Sequence, residues 1–361
     1  YVRYLCYFLA ALLILQDSYR EKQIWGVAIL GVLTVGTVVC SGNSTFILYL
    51  IMILAAKEVN VRTIVKLTCI IQGAMLLSIV VMSQIGIIPD YIFDASTRQR
   101  HGLGFLWTTT GAILYFYFMV LYIYLREERA HLIEYVILEA VNFGLYKLTD
   151  ARMSFYLSTL LLVYVYVMRF YWQNRKNRIR KNRLLIGAPA FFCILAVACQ
   201  IFYIPTDARW QKINSVLSGR LELGCFGWRD YGFSLLGTKI EWIGFSHNAT
   251  AGAYNYVDCS YMQILLENGL IPLVIIIAVY TYIMYMAVKE KDFYLQTAVL
   301  LITAFSITEP RLLNLAYNPL PFFGITYISL RGRSALFNRE GHRLNRRVRF
   351  RTTHVRLKAR K

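Results

Sequence analysis

The chemistry this sequence offers is a carboxylate with arginines to put around it. Asp258 opens the stretch 257–288, VDCSYMQILLENGLIPLVIIIAVYTYIMYMAV, whose second half, 269–288, is an unbroken apolar run. Asp258, Ser260, Tyr261, Gln263, Glu267 and Asn268 bring polar groups to the mouth of that run. Ionisable groups at a membrane boundary are costly to desolvate, so they face water, pair with one another or serve a function. Arg98 and Arg100 lie in RQRHGLGF, Arg152 in TDARMSF and Arg220 in LSGRLELG. A guanidinium grips phosphate oxygens through two parallel charge-assisted hydrogen bonds, so arginines that converge imply an anionic ligand. A carboxylate among them can take the proton of an attacking hydroxyl. Asp258 is the first candidate for that base, and His247, in the Gly-rich stretch GFSHNATAG, is the second.

Plainer readings stand beside these. Any one arginine in such a loop can be solvated or paired with a lipid phosphate, Asp150 can be a salt-bridge partner for Arg152, and a lone loop histidine can be structural. Trp228, Trp242, Tyr231 and Tyr254 have the flat apolar faces on which sugars stack.

The elements that must position these residues are membrane spans. Of the 361 residues, 57% are hydrophobic and only 16% charged, with a mean hydropathy of +0.47. Soluble domains carry roughly a quarter charged residues. Continuous apolar runs cover 5–15, 24–40, 46–56, 64–88, 105–125, 131–148, 153–171, 184–203, 269–288, 293–307 and 312–330. A transmembrane barrel shows alternating segments of about ten residues instead. The expected fold is therefore all-α, a polytopic membrane helix bundle of about eleven to twelve transmembrane helices. It forms one integral domain, 1–330, with one large extracellular loop, 207–256, and a basic cytoplasmic tail, 331–361.

The formal charge of +19 is concentrated in two blocks, 174–183 and 331–361, each following an apolar run. Such blocks read as cytoplasmic flanks lying against anionic headgroups of membrane lipids. No nucleic-acid-binding motif accompanies the charge, so nucleic acid is not an expected partner. With both blocks inside, the loops 89–104 and 207–256 fall outside, and so does the first residue. That placement predicts a further span upstream of Tyr1. The cysteines are scattered without a CxxC pair, and no Walker loop, GxGxxG site or HExxH is present. These absences argue against a nucleotide-driven pump or a zinc protease.

At this level the motifs resemble a family: the membrane polysaccharide polymerases of bacterial capsule and O-antigen assembly, related to O-antigen ligases. RQRHGLGF before an apolar run looks like the family's outer-loop arginine motif, with Thr108-Thr109 where a Pro-Asn is common. TDARMSF resembles a Thr-Asp-Ser-Arg pattern with Ala151 at the Ser position, and LSGRLELG with GFSLLGTKIEWIG is similar to the large outer loop. DCSYMQILLENGLI resembles an Asp-Asn-Ser-Tyr segment with Cys259 for Asn, and ITEPRLLNLAYNPLPF looks like the closing outer segment. The resemblance places Asp258 where the ligases carry their catalytic His.

It implies a glycosyltransferase that joins undecaprenyl-pyrophosphate-linked oligosaccharide repeat units on the outer face of the bacterial cytoplasmic membrane. Asp258 or His247 would be the base, and Arg98, Arg100, Arg152 and Arg220 would bind the pyrophosphate. The activated donor supplies the energy, so no nucleotide, metal or other cofactor is implied. A chain-length regulator and a flippase of the same pathway are the implied partners. The alternatives are a ligase that hands finished glycan to another acceptor and a non-enzymatic carrier of lipid-linked oligosaccharide.

Overall fold

The computed structural model describes residues 2–16, 21–95, 98–174, 183–244 and 254–328. His247, the centre of the basic block 174–183 and the whole tail 331–361 lie outside the described residues, and of Arg98 only the backbone is described.

Helices dominate. In chain order they are α1 (Val2–Gln16), α2 (Glu21–Ser41), α3 (Thr45–Ala55), α4 (Val61–Gln84), α5 (Thr110–Arg126), α6 (Leu132–Thr149) and α7 (Arg152–Asn174). Then come α8 (Ala188–Ile201), α9 (Ala208–Val216), α10 (Arg220–Tyr231), α11 (Ser260–Glu267), α12 (Leu270–Lys289), α13 (Phe293–Phe305) and α14 (Pro321–Ile328). Among the described residues four helical segments are long and apolar enough to cross a bilayer: Ile24–Ser41, Val61–Gln84, Arg183–Ile201 and Leu270–Lys289. Their outward faces are apolar. Val32 and Val39 on α2 are 73% and 77% exposed, and Leu67, Ile70, Ile71 and Leu77 run along an open face of α4. Helices apolar on the face that the rest of the chain leaves uncovered belong in a hydrocarbon environment.

The centre of the bundle is α5. Phe116, Tyr117 and Met119 are fully buried, and α5 packs on α4, α6, α7 and α13. The Phe116 ring meets Phe305 of α13 at 4.4 Å.

Several expected spans take another form. The run 105–125 starts as a helix only at Thr110, because an antiparallel hairpin of β1 (Ile92–Ala95) and β2 (Arg98–His101) and a turn precede it. The loop 207–256 is not wholly irregular, since it contains α9 and α10. The run 312–330 is the largest departure: between α13 and α14 the chain is non-helical as far as Leu320. Its backbone is satisfied by polar side chains, some from other helices and one from within the segment. Gln72, midway along α4, donates to the carbonyls of Ala316 and Tyr317 at 2.8 and 2.9 Å. Fully buried Asn318 donates to Leu312 O and to the Tyr280 hydroxyl, both at 2.7 Å. Hydropathy cannot distinguish such a segment from a helix, since its side chains are as apolar as a span's.

Alternate connections collect at opposite ends of the bundle. At one end Arg62 bridges to Glu127 at 3.0 Å, Arg126 to Glu134 at 2.6 Å, and Arg169 donates to the Ala130 carbonyl. At the other, Asn43 between α2 and α3 donates to Glu267, Arg100 reaches the α6–α7 corner, and Arg220 reaches the segment after α13.

The long connection after α10 is stitched to the α11–α12 junction. Thr238 N donates to Glu267 O, Leu270 N to Ser234 O and Ile271 N to Leu235 O at 3.0–3.2 Å. Gly237 (φ +101) and Gly269 (φ +95) face each other backbone to backbone, and a Cβ on Gly237 would stand 2.1 Å from the Glu267 carbonyl oxygen. Only glycine fits that approach. Gly86 has a similar φ, +79, with open space around it. Gly86→Ala is expected to cost on the order of 1 kcal/mol, and Gly237→Ala several-fold more. Thermal unfolding in detergent checks this, and equal shifts for the two variants would refute the close approach.

Candidate functional site

Asp258 is aimed by an alternating extended segment. Val257 and Cys259 on either side are fully buried, and successive side chains of extended backbone point to opposite faces. Asp258 therefore turns away from the core and keeps 27% of its side chain exposed. It meets Arg220, the first residue of α10, which follows the left-handed turn at Gly219 (φ +83).

Arg220 is the hub. Its Nε lies 3.7 Å from Asp258 Oδ2 and donates to Thr308 O at 2.8 Å, while its Nη2 donates to Glu309 Oε1 at 3.1 Å. Only 15% of its side chain is exposed. Ser260 then ties the two carboxylate-bearing segments together: its Oγ donates to Glu309 O at 2.5 Å and accepts from Leu312 N at 3.1 Å. Arg311 completes the group. Its guanidinium stacks over the Tyr317 ring at 4.3 Å, it lies near enough to act electrostatically on Asp258 and Glu309, and its buried Nε has no hydrogen-bond partner among the described residues.

Burial raises the pKa of Asp258, with Arg220 and then Arg311 pulling against it. Burial raises that of Glu309 further, to about 7, opposed by Arg220 and Arg311 and assisted by the neighbouring Asp258 charge. Two carboxylates this close do not both ionise easily, and Glu309 is the one that holds its proton towards neutrality. Arg220 and Arg311 then both act on Asp258, which lowers the cost of its ionised form against the burial that raises it. Two guanidiniums beside a carboxylate of raised basicity are groups that suit an anion. Tyr254 is close enough for Asp258 to raise its pKa, after burial, and Tyr256 is raised chiefly by burial.

The predicted arginines do not all gather here. Arg220 and Asp258 do. Arg100 donates from Nε to Thr149 O at 3.0 Å, and Arg152, 46% exposed, pairs with Asp150 at 3.4 Å, so the salt-bridge reading of Asp150 holds. Both sit at the α6–α7 corner, and neither is among the described charges acting on Asp258 or Glu309. Arg98 pairs its backbone with Ala95 in the same hairpin. Glu309 and Arg311 are the members without a role in the sequence reading. The charged tripeptide Glu-Pro-Arg at 309–311, between two apolar runs, is the signal that marks them.

Among the described residues no group of three or more His, Cys, Asp or Glu is arranged to hold a metal ion. Cys225 and Cys259 are both buried and both free.

Glu309 makes stability depend on pH. A carboxyl with pKa about 7 when folded, against the ordinary 4.5, binds more protons folded than unfolded between those values, so stability falls as pH rises through that window. The detergent-solubilised protein is expected to melt at progressively lower temperature from about pH 4.5 to about pH 7, and Glu309→Gln to flatten the slope. A slope unchanged in Glu309→Gln would assign it elsewhere.

No family model matches this chain, and neither a curated protein nor a solved structure matches it.

Proposed function

We propose that the chain is a multi-pass glycosyltransferase of the bacterial cytoplasmic membrane. It joins undecaprenyl-pyrophosphate-linked oligosaccharide repeat units on the membrane's outer face, as a polysaccharide polymerase does. The observation that carries this reading is Asp258 held beside Arg220, with Arg311 close by. In this reading the bundle has about eleven spans, and the end carrying Asp258 faces outside.

The acceptor hydroxyl oxygen attacks the anomeric carbon of the donor while the bond from that carbon to the pyrophosphate oxygen breaks. Asp258 takes the hydroxyl proton. Undecaprenyl pyrophosphate leaves with the electron pair, and Arg220 and Arg311 stabilise the charge that grows on it, a role that preorganised cations perform best in a site shielded from water. Arg100 and Arg152 serve as outlying cations for the second lipid-linked substrate as it approaches.

A carrier of the same lipids would place its charges deep in the spans. The exceptions within α6 are occupied locally: Glu139 accepts from Thr159 Oγ1 at 2.7 Å, and Lys147 lies over the Phe143 ring at 5.2 Å. This favours an enzyme over a flippase.

The test is a reaction of purified protein with a lipid-linked repeat unit as sole substrate. A ladder of products with release of undecaprenyl pyrophosphate is expected. Asp258→Ala is expected to reduce its rate by about 100-fold or more, and Arg220→Lys, which keeps the charge and loses the fork, to reduce it substantially too. Normal-length polymer from both variants sinks the assignment. Lipid-linked unit crossing a vesicle bilayer without a ladder makes the protein a carrier.

A further inference from the structure

A second feature adjoins the charged cluster. A cavity of about 240 Å³ lies between the α2–α3 connection, α3, α11 and the non-helical segment after α13. Tyr256, Ser260 and Pro310 line it, so it shares walls with the segments that carry Asp258, Glu309 and Arg311.

Its lining is specific in kind. Tyr49, Trp242 and Tyr256 give it aromatic faces, and Asn43, Gln263, Glu267, Asn268 and Asn314 give it amides and one carboxylate. Among the described lining residues there is no Lys or Arg. Asn43 Nδ2 donates to Glu267 Oε1 at 2.6 Å, and Trp242 Nε1 donates to Oε2 at 3.2 Å. The carboxylate is thus fixed by two neutral donors, and each oxygen retains a lone pair for a further donor. Asn268 is 7% exposed, yet its side-chain amide makes no hydrogen bond among the described residues. Neither of its polar atoms is fully enclosed by the chain, so both ends of the amide stay open to the cavity, one to donate and one to accept.

We infer that this cavity is a saccharide subsite that binds one neutral sugar ring, stacked on Trp242 and hydrogen-bonded by Glu267 and Asn268. Aromatic faces match the C–H faces of a pyranose, while a carboxylate and amides without a cation match hydroxyl donors and acceptors. Anions are disfavoured beside Glu267. The volume is below the ~300–1,000 Å³ of pockets for drug-sized ligands, which limits it to about one ring. Resting on the polymerase reading, the ring is the terminal acceptor sugar, delivered next to Asp258.

The test uses purified full-length protein in nanodiscs. Saturation-transfer NMR is run with methyl glucoside, methyl galactoside, N-acetylglucosamine and rhamnose as probes. At least one is expected to bind, and Trp242→Ala and Asn268→Ala each to weaken it by about tenfold. Asn268→Ala removes no side-chain hydrogen bond within the described chain, and a thermal melt in the same nanodiscs that matches wild type separates loss of binding from a folding effect. No binding by any probe, or binding unchanged in both variants, overturns the subsite. In the ladder reaction Asn268→Ala is expected to raise the KM for acceptor and to spare kcat. A wild-type ladder with an unaltered acceptor KM in Asn268→Ala overturns the subsite and leaves the polymerase standing. Sugar binding lost in the variants, with no ladder from wild type, leaves the subsite standing and removes the polymerase.

Discussion

Arg220 reaches two carboxyl groups that the chain has largely removed from water, and it joins the segments that carry them. Removing a charge from water costs several kcal/mol unless a partner and hydrogen bonds compensate. Glu309, 6% exposed, has no other described hydrogen-bonded cation, and the Arg220 Nε is committed to Thr308 O. Three segments distant in sequence are thereby brought together: the start of α10, the extended approach to α11, and the turn after α13. Folding α10 down onto the bundle brings the rest of the long connection with it, which then closes against Gly269 through backbone hydrogen bonds that only glycines allow.

A second constraint acts on the backbone. Where a chain leaves helix inside an apolar bundle, every freed N–H and C=O must find a partner within the protein. The segment between α13 and α14 meets this with its own Asn318 and with Gln72, Ser260 and Tyr280 from other elements. This irregular segment carries both Glu309 and Arg311 and forms a wall of the cavity. Pro310 and Pro319 oppose helix across this segment, and the observed turns hold Glu309 against Arg220 and Arg311 over Tyr317.

What could be read in the sequence divides along the same line. The spans α2, α4 and α12 announce themselves because hydropathy summed over a long window is a local property. Asp258 is legible for a related reason: it stands in the polar mouth of an apolar run, so its cost demands an explanation. Arg220 is legible only as an arginine in the long polar stretch 207–256. The pairing of Arg220 with Glu309, 89 positions apart, is not local, and neither periodicity nor composition encodes it. Nor does hydropathy report that 312–320 is non-helical, since the decisive residues there are Gln72 and Asn318, single amides within long apolar stretches. Arg98, Arg100 and Arg152 have the same residue types as the cluster and the same predicted side. Type and sidedness alone cannot tell one corner of the bundle's end from another.

The proton on Glu309 links the electrostatics of the cluster to any anion it takes up. With Glu309 neutral, the site has two guanidiniums and one carboxylate; with Glu309 ionised, the charges balance and the attraction for an anion weakens. An anion arriving at Arg311 adds negative charge beside Glu309 and raises its pKa further, so binding and protonation reinforce each other. Departure of the anion reverses both. In the proposed transferase Asp258 would face the opposite demand, since a base must be ionised when the hydroxyl arrives, and its contact with Arg220 favours that state. Two carboxyl groups sharing one guanidinium differ in their access to water: Glu309 is the more deeply buried and Asp258 the more exposed.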